Sequence, residues 1–387
     1  TPSCARRERR LGCRADPGDP RHRLTPMAEY SKAVGDNETV KAWSKKLARE
    51  SLKQTMFSKF IADGDDEEGS SLVIMKEDLS KGVGDRVRLT LAMQGSGAGK
   101  TSGEVLEGSE EAAVTYTDDL TIEMIRHAFK SEDVMTPQRV GFDVRNLAKN
   151  TLRDWFADRM DTWFFNQLCG NTVQTDTKYT GFNSTVAPDS SHLIRAGAQA
   201  NDQSLGSSHV LKLQHIEVMV NMARQATPAI KPVRYKGKDY YILFIHEDQA
   251  TSLRTDYTSS GNWFDLQKAR LQGGEGDDNG IFSGALGIYN NTVIHTSTRI
   301  PLGIHSGTGA AVSSTRRAVF CGAGALMCAF GKASPNGRMD WVEKMFDYDQ
   351  YYGVAARMVG GMKKTRFNSA DYGTITCTTY AASPAAA

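Results

Sequence analysis

The chain has 387 residues, of which 40% are apolar and 24% are charged, an ordinary balance for a globular protein. No apolar run approaches the roughly 20 residues of a membrane-spanning helix, and none of the six cysteines forms a CxxC pair. The composition therefore argues against a helical membrane protein and a cysteine-ligated metal ribbon, and it indicates a reducing compartment.

The first 26 residues differ from the rest in composition. They carry seven Arg against three acids and four Pro, with almost no apolar content, so we expect disorder there. Met27 precedes sequence typical of a folded protein, which favours residues 1–26 as a non-native upstream tail. The alternative is a basic arm that binds nucleic acid. Without this tail the balance is 40 basic to 42 acidic residues, net −2, which does not favour a dedicated nucleic-acid-binding domain.

The next elements are a helix and two strands. Asp36 or Asn37 can cap a helix that runs to about Ile61 and is followed by an acidic loop at 63–69. The helix has apolar residues that broadly follow three-to-four spacing: Val40, Trp43, Leu47 and Phe60. Strands are predicted at 71–75 and at 86–91, where polar and apolar residues alternate.

A Gly-rich span at 95–103 separates the strand at 86–91 from a second extended stretch at 112–125. Two strand signals around a long flexible connection predict a projecting β-hairpin. The strongest element follows, because Thr136 and Pro137 open a helix that continues to Cys169. Its length would be on the order of 50 Å.

The remaining elements mix helices and strands. A loop-like region is predicted at 171–208, helices at 210–226 and 263–271, a turn at 284–287, and strands at 240–245, 292–295 and 372–377. Periodicity does not decide whether 318–330 is a strand or a buried helix. The predicted fold class is α+β with a mixed or antiparallel sheet.

One motif resembles a phosphate-binding loop. The string Gly95-Ser-Gly-Ala-Gly-Lys-Thr101 ends in Gly-Lys-Thr, but only three residues separate Gly95 from Gly99 where such a loop needs four. The following sequence contains Gly103 and Glu104 instead of a helix start that could hold the anion. A flexible hairpin tip is the preferred interpretation, and a nucleotide-binding ATPase using Lys100 and Thr101 is the alternative.

Other candidate sites are weaker. His246 lies beside Glu247 and Asp248 and could be a general base, but a polar residue at a strand end is the simpler account, since no nucleophile motif accompanies it. No histidine pair has helical zinc spacing, and the acidic runs at 63–68 and 347–349 are typical of solvated surfaces. Five clustered aromatics favour a core or subunit contacts over a stacking platform: Trp155, Phe156, Trp163, Phe164 and Phe165. We therefore predict no catalytic, cofactor-binding or metal-binding residue and no enzyme.

Several strings in order resemble the major capsid proteins of the N-four-like phages, within the Hong Kong-type capsid lineage. The resemblance covers 30–380 and is carried by these segments: 31–35 (SKAVG), 40–47 (VKAWSKKL), 106–111 (LEGSEE), 138–145 (QRVGFDVR), 244–248 (FIHED), 282–287 (FSGALG) and 360–365 (GGMKKT).

The resemblance implies a Hong Kong-type layout. Residues 27–70 would form the N-terminal arm and 71–135 the extended hairpin loop region, with 84–120 lying over a neighbouring subunit. The peripheral domain with its spine helix would span 136–210, and the axial domain would span 211–304. Residues 305–387 would return to the peripheral domain and the C-terminus.

The resemblance also implies the function and the partners. The subunit would assemble with itself into pentamers and hexamers of an icosahedral head, with a separate scaffolding protein, a portal and packaged DNA bound without sequence specificity. It would reside in the virion, and in the host cytoplasm during assembly. Some members crosslink through a hairpin Lys; Lys100 lies in the corresponding element, but no partner Asn is identified. A minor head protein or a bacterial compartment shell protein is the remaining alternative.

Overall fold

The computed structural model describes residues 37–61, 71–76, 84–131, 144–255 and 285–382, apart from positions 94, 96, 109, 236, 334–337 and 349. The predicted tail at 1–26, the acidic loop at 63–69, the start of the long helix at Pro137 and the helix at 263–271 lie outside these residues.

The described residues form helices α1 (Asn37–Gln54), α2 (Val144–Leu168), α3 (Leu213–Gln225) and α4 (Glu247–Thr255), with a 3-10 helix at Met56–Phe60. The strands in the N-terminal half are β1 (Val73–Lys76), β2 (Arg86–Ala92), β3 (Thr115–Thr121), β4 (Glu123–Lys130), β5 (Leu193–Arg195), β6 (Val233–Tyr235) and β7 (Lys238–Ile245). Those that follow are β8 (Ala285–Tyr289), β9 (Thr292–Thr296), β10 (Leu302–Ile304), β11 (Ala311–Cys321), β12 (Leu326–Phe330), β13 (Met339–Phe346), β14 (Tyr351–Lys364), β15 (Arg366–Phe367), β16 (Ala370–Asp371) and β17 (Thr374–Tyr380).

Two larger sheets organise the described chain. In a five-stranded sheet, β14 pairs with β4 along one edge and with β13 and then β12 along the other, while β1 joins β12 in parallel. An eight-stranded sheet has the order β5-β17-β11-β7-β9-β8, with β10 added on β11 and β6 on β7. Both sheets mix parallel and antiparallel pairs, which confirms the predicted α+β class.

The long helix α2 is held by one regular apolar stripe. Every fourth residue from Ala148 to Leu168 is buried, a spacing that aligns side chains along one face of a helix. The helix has 25 residues, about 37 Å at 1.5 Å per residue. It ends at Gly170, whose φ of 61° is left-handed, and Asn171 N–H closes the turn onto the Asn166 carbonyl at 3.0 Å. This arrangement is a Schellman-type helix end, for which glycine is favoured.

The position of strand β7 between two cores explains why its sequence is apolar without alternation. Ile242 and Phe244 join the core around α2, whereas Leu243 and Ile245 join a second core under α3 and α4. Successive strand residues point to opposite faces, so a strand covered on both faces needs apolar residues throughout. The eight-stranded sheet is therefore the layer between α2 and the α3–α4 pair.

Several elements differ from the sequence-based expectation. The first helix ends at Gln54, because Met56–Phe60 tightens into a 3-10 turn that inserts Phe57 and Phe60 into the core. The segment 318–330 is strand in two parts, β11 and β12, since pairing partners decide what periodicity left open. The turn predicted at 284–287 is wrong: Ala285–Tyr289 is strand β8, with a register shift between Ala285 and Gly287.

Candidate functional site

The predicted hairpin at 84–120 is present and has a firmly packed root. Strands β2 and β3 pair antiparallel from Arg86↔Thr121 to Ala92↔Thr115. At the root, Val87 and Leu120 are buried in a small core with Ile122, against β12 of the five-stranded sheet. The end of the hairpin nearest the body is thus part of the globular fold.

Asn183 joins the hairpin root to the body by hydrogen bonds. Its side chain accepts from Thr121 N–H at 3.0 Å and donates to the Thr121 carbonyl at 2.9 Å and the Gly181 carbonyl at 2.8 Å. On the adjoining strand, a Cβ at Gly361 would collide with the Thr121 carbonyl oxygen, so glycine is required for the backbones to approach. The junction of β3 and β4 is therefore fixed by the contacts that Asn183 and Gly361 make with the backbone of Thr121.

Charged contacts hold the hairpin strand β3 as well. The Lys363 ammonium contacts the Asp118 carboxylate and donates to the Asp119 carbonyl at 2.9 Å. Asp118 also accepts from the Arg366 N–H at 3.1 Å. Asp119 forms an exposed two-point pair with Arg88, which lowers the pKa of Asp119 mainly through the hydrogen bond itself.

The distal part of the hairpin is solvent-exposed. Its described residues between Gly97 and Ala113 are all exposed, including the large apolar side chains Val105 at 74% and Leu106 at 60%. Isolated exposed apolar residues are normal, but two adjacent ones on a projecting loop form a small apolar surface that can bind another molecule. Acidic residues flank them: Glu104, Glu107, Glu110 and Glu111.

The hairpin context contradicts the nucleotide-binding alternative. Gly95 and Gly97 lie against the Glu111 carboxylate, which accepts from Gly97 N–H at 2.8 Å. From Gly97 to Gly108 the described residues form turns and no helix. A phosphate loop needs a following helix and has no place for a carboxylate on its amides. Lys100 and Thr101 therefore do not form a phosphate site.

A buried ionic cluster links the end of α2 to the eight-stranded sheet. Asp202 is fully buried, accepts from Arg195 at 2.7 Å and Arg317 at 2.9 Å, and also accepts from Ile304 N–H at 3.0 Å. Arg317 in turn donates to the Gly170 carbonyl at 3.1 Å. Burial by itself would raise the pKa of Asp202, but Arg317 and these hydrogen bonds outweigh it and lower that pKa.

A second buried pair links β14 to the short hairpin after it. The Lys364 ammonium lies 2.8 Å from an Asp371 oxygen, with side-chain exposures of 2% and 1%. Arg366 approaches the other Asp371 oxygen at 3.0 Å. Burial lowers the pKa of Lys364, and Asp371 opposes that shift. Charges this deep are tolerated because they are paired, and they fix how the chain returns from β14 to β17.

His246 serves a helix terminus. It precedes α4, and its Nδ1 accepts from Asp248 N–H at 3.1 Å, as an N-cap side chain does. Burial lowers the pKa of His246, and the neighbouring Arg316 acts in the same direction. The Asp248 carboxylate also lies 3.6 Å from Arg316. This geometry supports the simpler prediction of a polar residue at a strand end.

Four of the five clustered aromatic residues of α2 lie in the core as predicted, and the fifth, Trp155, is only partly buried at its edge. Phe156, Trp163, Phe164 and Phe165 are almost fully buried, and Phe164 packs edge-on against Phe244 of β7 at 5.5 Å. The four described cysteines are buried and free: Cys169, Cys321, Cys328 and Cys377. Burial raises the pKa of Cys169, Cys328 and Cys377 to about 12, so these thiols are protonated and inert.

Sequence inspection missed the residues that hold these junctions together. Asn183, Asp202 and Asp371 occur in polar, loop-like sequence that gave no local signal. Lys364 follows the Gly360-Gly361 pair, where an exposed position was equally compatible. Within the described residues, no group of three His, Cys, Asp or Glu side chains is arranged to hold a metal ion. None of the described helices is long and apolar enough to cross a membrane.

Comparisons with known proteins agree with this architecture. A family model described as "Phage capsid protein" matches residues 31–383. The "Major capsid protein" of Pseudomonas phage KPP25 is 25% identical over 378 residues, covering 89% of this chain and 96% of that protein. The capsid of Ralstonia phage GP4 is 28% identical, with a TM-score of 0.73 over 97% of this chain and all (100%) of that one.

A more distant structure shares the fold. The capsid of cyanophage Pam1 is 17% identical, with a TM-score of 0.65 over 86% of this chain and 94% of its own. The chain belongs to the phage capsid protein family, whose members are structural virion components and not enzymes. Its fold is that of the Hong Kong-type capsids, which confirms the predicted architecture.

Proposed function

We propose that this chain assembles into the pentamers and hexamers of an icosahedral phage head that encloses double-stranded DNA. The observation that carries the proposal is the hairpin, whose root is fixed in the body while its apolar tip at Val105 and Leu106 is exposed. A tip of this kind is suited to contact a neighbouring copy. Contacts between unlike surfaces of identical subunits close into rings when the rotation permits.

We propose the domain layout predicted from the sequence, with one addition. The arm spans 27–70, the hairpin region 71–135, the peripheral domain 136–210 and the axial domain 211–304, and 305–387 returns to the periphery. The core under α3 and α4 supports an axial unit. Because β11 and β17 pair within the same sheet as β7 and β9, we add these two returning strands to the axial unit.

We also propose membership of the N-four-like lineage, on the ordered strings from 31–35 to 360–365. The proposed partners are a separate scaffolding protein, a portal and packaged DNA bound without sequence specificity. The nearly neutral charge beyond residue 26 supports weak genome contact, since DNA affinity grows with the number of phosphates neutralised. Assembly would take place in the host cytoplasm.

Negative-stain electron microscopy tests the proposal directly. The chain is expressed with and without the product of its candidate scaffolding gene, and closed shells are expected in at least one condition. A matched variant replaces 98–107 by a short Gly-Ser linker, which leaves the packed root untouched. This variant is expected to retain the wild-type circular dichroism spectrum and to form no shells. A persistent wild-type monomer, or normal shells from the variant, would contradict the proposal.

A further inference from the structure

A basic groove runs along one face of α1. Lys45, Arg49 and Lys53 recur every fourth residue, so their side chains align on that face, and all three are exposed. No described carboxylate pairs with any of them. Glu50 on the same helix is already engaged by Lys149 at 2.7 Å. The chain beyond residue 26 is nearly neutral, so a row of three exposed cations with no partner among the described residues stands out.

The floor of this groove is apolar. A cavity of about 400 Å³ lies between α1 and the start of β13, and the apolar side chains Ala48, Leu52 and Met339 line it together with the three cations and Arg338. A smaller apolar pocket shares these floor residues and reaches the core at Met358. A ligand for this groove would combine negative charge with one or two apolar side chains. A bare phosphate backbone would not use the apolar floor.

The hairpin tip has the complementary chemistry. Glu104 and Glu107 bracket Val105 and Leu106, whose side chains are 74% and 60% exposed. Glu107 has no partner among the described residues, and Glu104 accepts only a local Thr101 N–H at 3.1 Å. Since Val105 and Leu106 are exposed, the tip does not occupy the groove of its own chain.

We propose that the tip segment Glu104–Glu107 of one copy docks into the α1 groove of a second copy. Val105 or Leu106 would cover the apolar floor, while the two glutamates would pair with the Lys45–Arg49–Lys53 row. Opposite charge and matched apolar surface occur on two separate surfaces of the same chain. This is the requirement for a heterologous contact between identical subunits. The inference rests on the proposed shell assembly and assigns the surface that receives the hairpin.

A charge exchange tests the contact in assembled particles. Arg49→Glu and Glu107→Lys are each expected to lower the shell yield roughly tenfold, because like charges then face each other. The combined variant is expected to return to within about threefold of wild type, since the pair is restored with reversed polarity. Gln54→Glu adds a negative charge at an exposed position of the same helix outside the groove, and this control is expected to stay within about twofold.

Each outcome separates this inference from the broader proposal. If the wild-type chain forms no shells, the proposed function fails. If wild-type shells form but the combined variant assembles no better than the single ones, only the groove assignment fails. The docking proposal would also be overturned if Arg49→Glu assembled with wild-type yield but contained less DNA, because the groove would then contact the packaged DNA. Unchanged circular dichroism and thermal midpoints of the unassembled variants verify that folding is intact.

Crosslinking gives an independent measurement. Leu106→Cys combined with Ala48→Cys is treated with a short bismaleimide in assembled shells and in unassembled subunits. Intermolecular products are expected in shells only. The control pair places the second cysteine at Val218, which is exposed on α3 far from the groove-lining residues in sequence. Equal crosslinking of both pairs, or none for the groove pair, would contradict the docking.

Discussion

The hairpin tip and the junction around Lys364 use charge in opposite ways. At the tip, acids and apolar side chains are exposed, and the local hydrogen bonds only shape the loop. At the junction, Lys364 and Asp371 are nearly inaccessible and pair at 2.8 Å. The difference indicates that the buried junction stabilises the folded subunit, whereas the exposed tip is available to contact another molecule. Changes in the junction should therefore unfold the subunit, and changes at the tip should affect only its association.

The largest expected effect comes from Asp371→Ala. It leaves the Lys364 ammonium buried without its carboxylate, so we expect a loss of about 3–5 kcal/mol in the free energy of unfolding. Urea denaturation of the unassembled subunit measures it. The control is Arg88→Ala, which breaks an exposed pair with Asp119. We expect no measurable loss from an exposed pair of this kind, because solvent screens it, and equal losses from the two variants would contradict the contrast.

A substitution in the hairpin root should destabilise the fold, as a substitution in the body does, whereas a substitution at the tip should not. Asn183→Ala removes the partners of Thr121 N–H and the Thr121 carbonyl, and each such buried group left unsatisfied costs about 1–3 kcal/mol. Hydrogen exchange is expected to accelerate at Thr121 and along β3. Asn150→Ala, at an exposed position of α2, is the control. Unchanged exchange at Thr121 would show that the root is held by packing alone.

A pH-dependent effect is expected where the 3-10 helix at Met56–Phe60 meets α2. Asp161 of α2 accepts from Met56 N–H at 2.9 Å, and burial raises the pKa of Asp161 to about 6. Because this folded-state pKa is above the ordinary value, the stabilisation is fully present below about pH 4 and is lost as pH rises through about 6. Asp161→Asn keeps the acceptor without the charge, so it should gain up to about 3 kcal/mol at pH 8.

The same substitution should be neutral at pH 4, where the carboxyl is already uncharged. Denaturation midpoints between pH 4 and pH 8 measure this dependence in the unassembled subunit. Asp161→Ala, which also loses the acceptor for Met56 N–H, should destabilise at both ends of the range. A wild-type stability profile with the same slope as that of Asp161→Asn would refute the assignment.

The smallest effect is expected at the tip. Lys100→Ala removes an exposed side chain from the Gly-rich part of the hairpin, so the free energy of unfolding should change by less than about 0.5 kcal/mol. Nucleotide should cause no thermal shift in either the wild type or the variant. A nucleotide-dependent shift that disappears in Lys100→Ala would restore the nucleotide-binding interpretation and would weaken the comparison between tip and body.

The local sequence pattern was sufficient to predict the elements with strong periodicity. The recurrence of apolar residues in α2, the alternation of β2 and the continuous apolar run of β7 each predicted an element that is present. The recurrence did not fix which face of α2 is buried, since Leu147 is 50% exposed beside the buried Ala148. The hairpin was predictable because a Gly-rich stretch between two strand patterns leaves few alternatives. These features depend on residues close together in the chain, where geometry follows directly from sequence.

Tertiary structure decided what depends on distant partners. The pairing of β12 with β1 and the burial of Asp202 against Arg317, 115 residues away, follow from partners remote in sequence. Strand β8 pairs with the nearby β9, and Lys364 pairs with Asp371 seven residues on, but the elements that pack around them set their final environment. Sequence by itself determined the α+β class, the long helix and the projecting hairpin, because periodicity and turn chemistry are local. Only the folded chain showed which charges are buried in pairs and which stay exposed, because burial is set by the elements that pack around them.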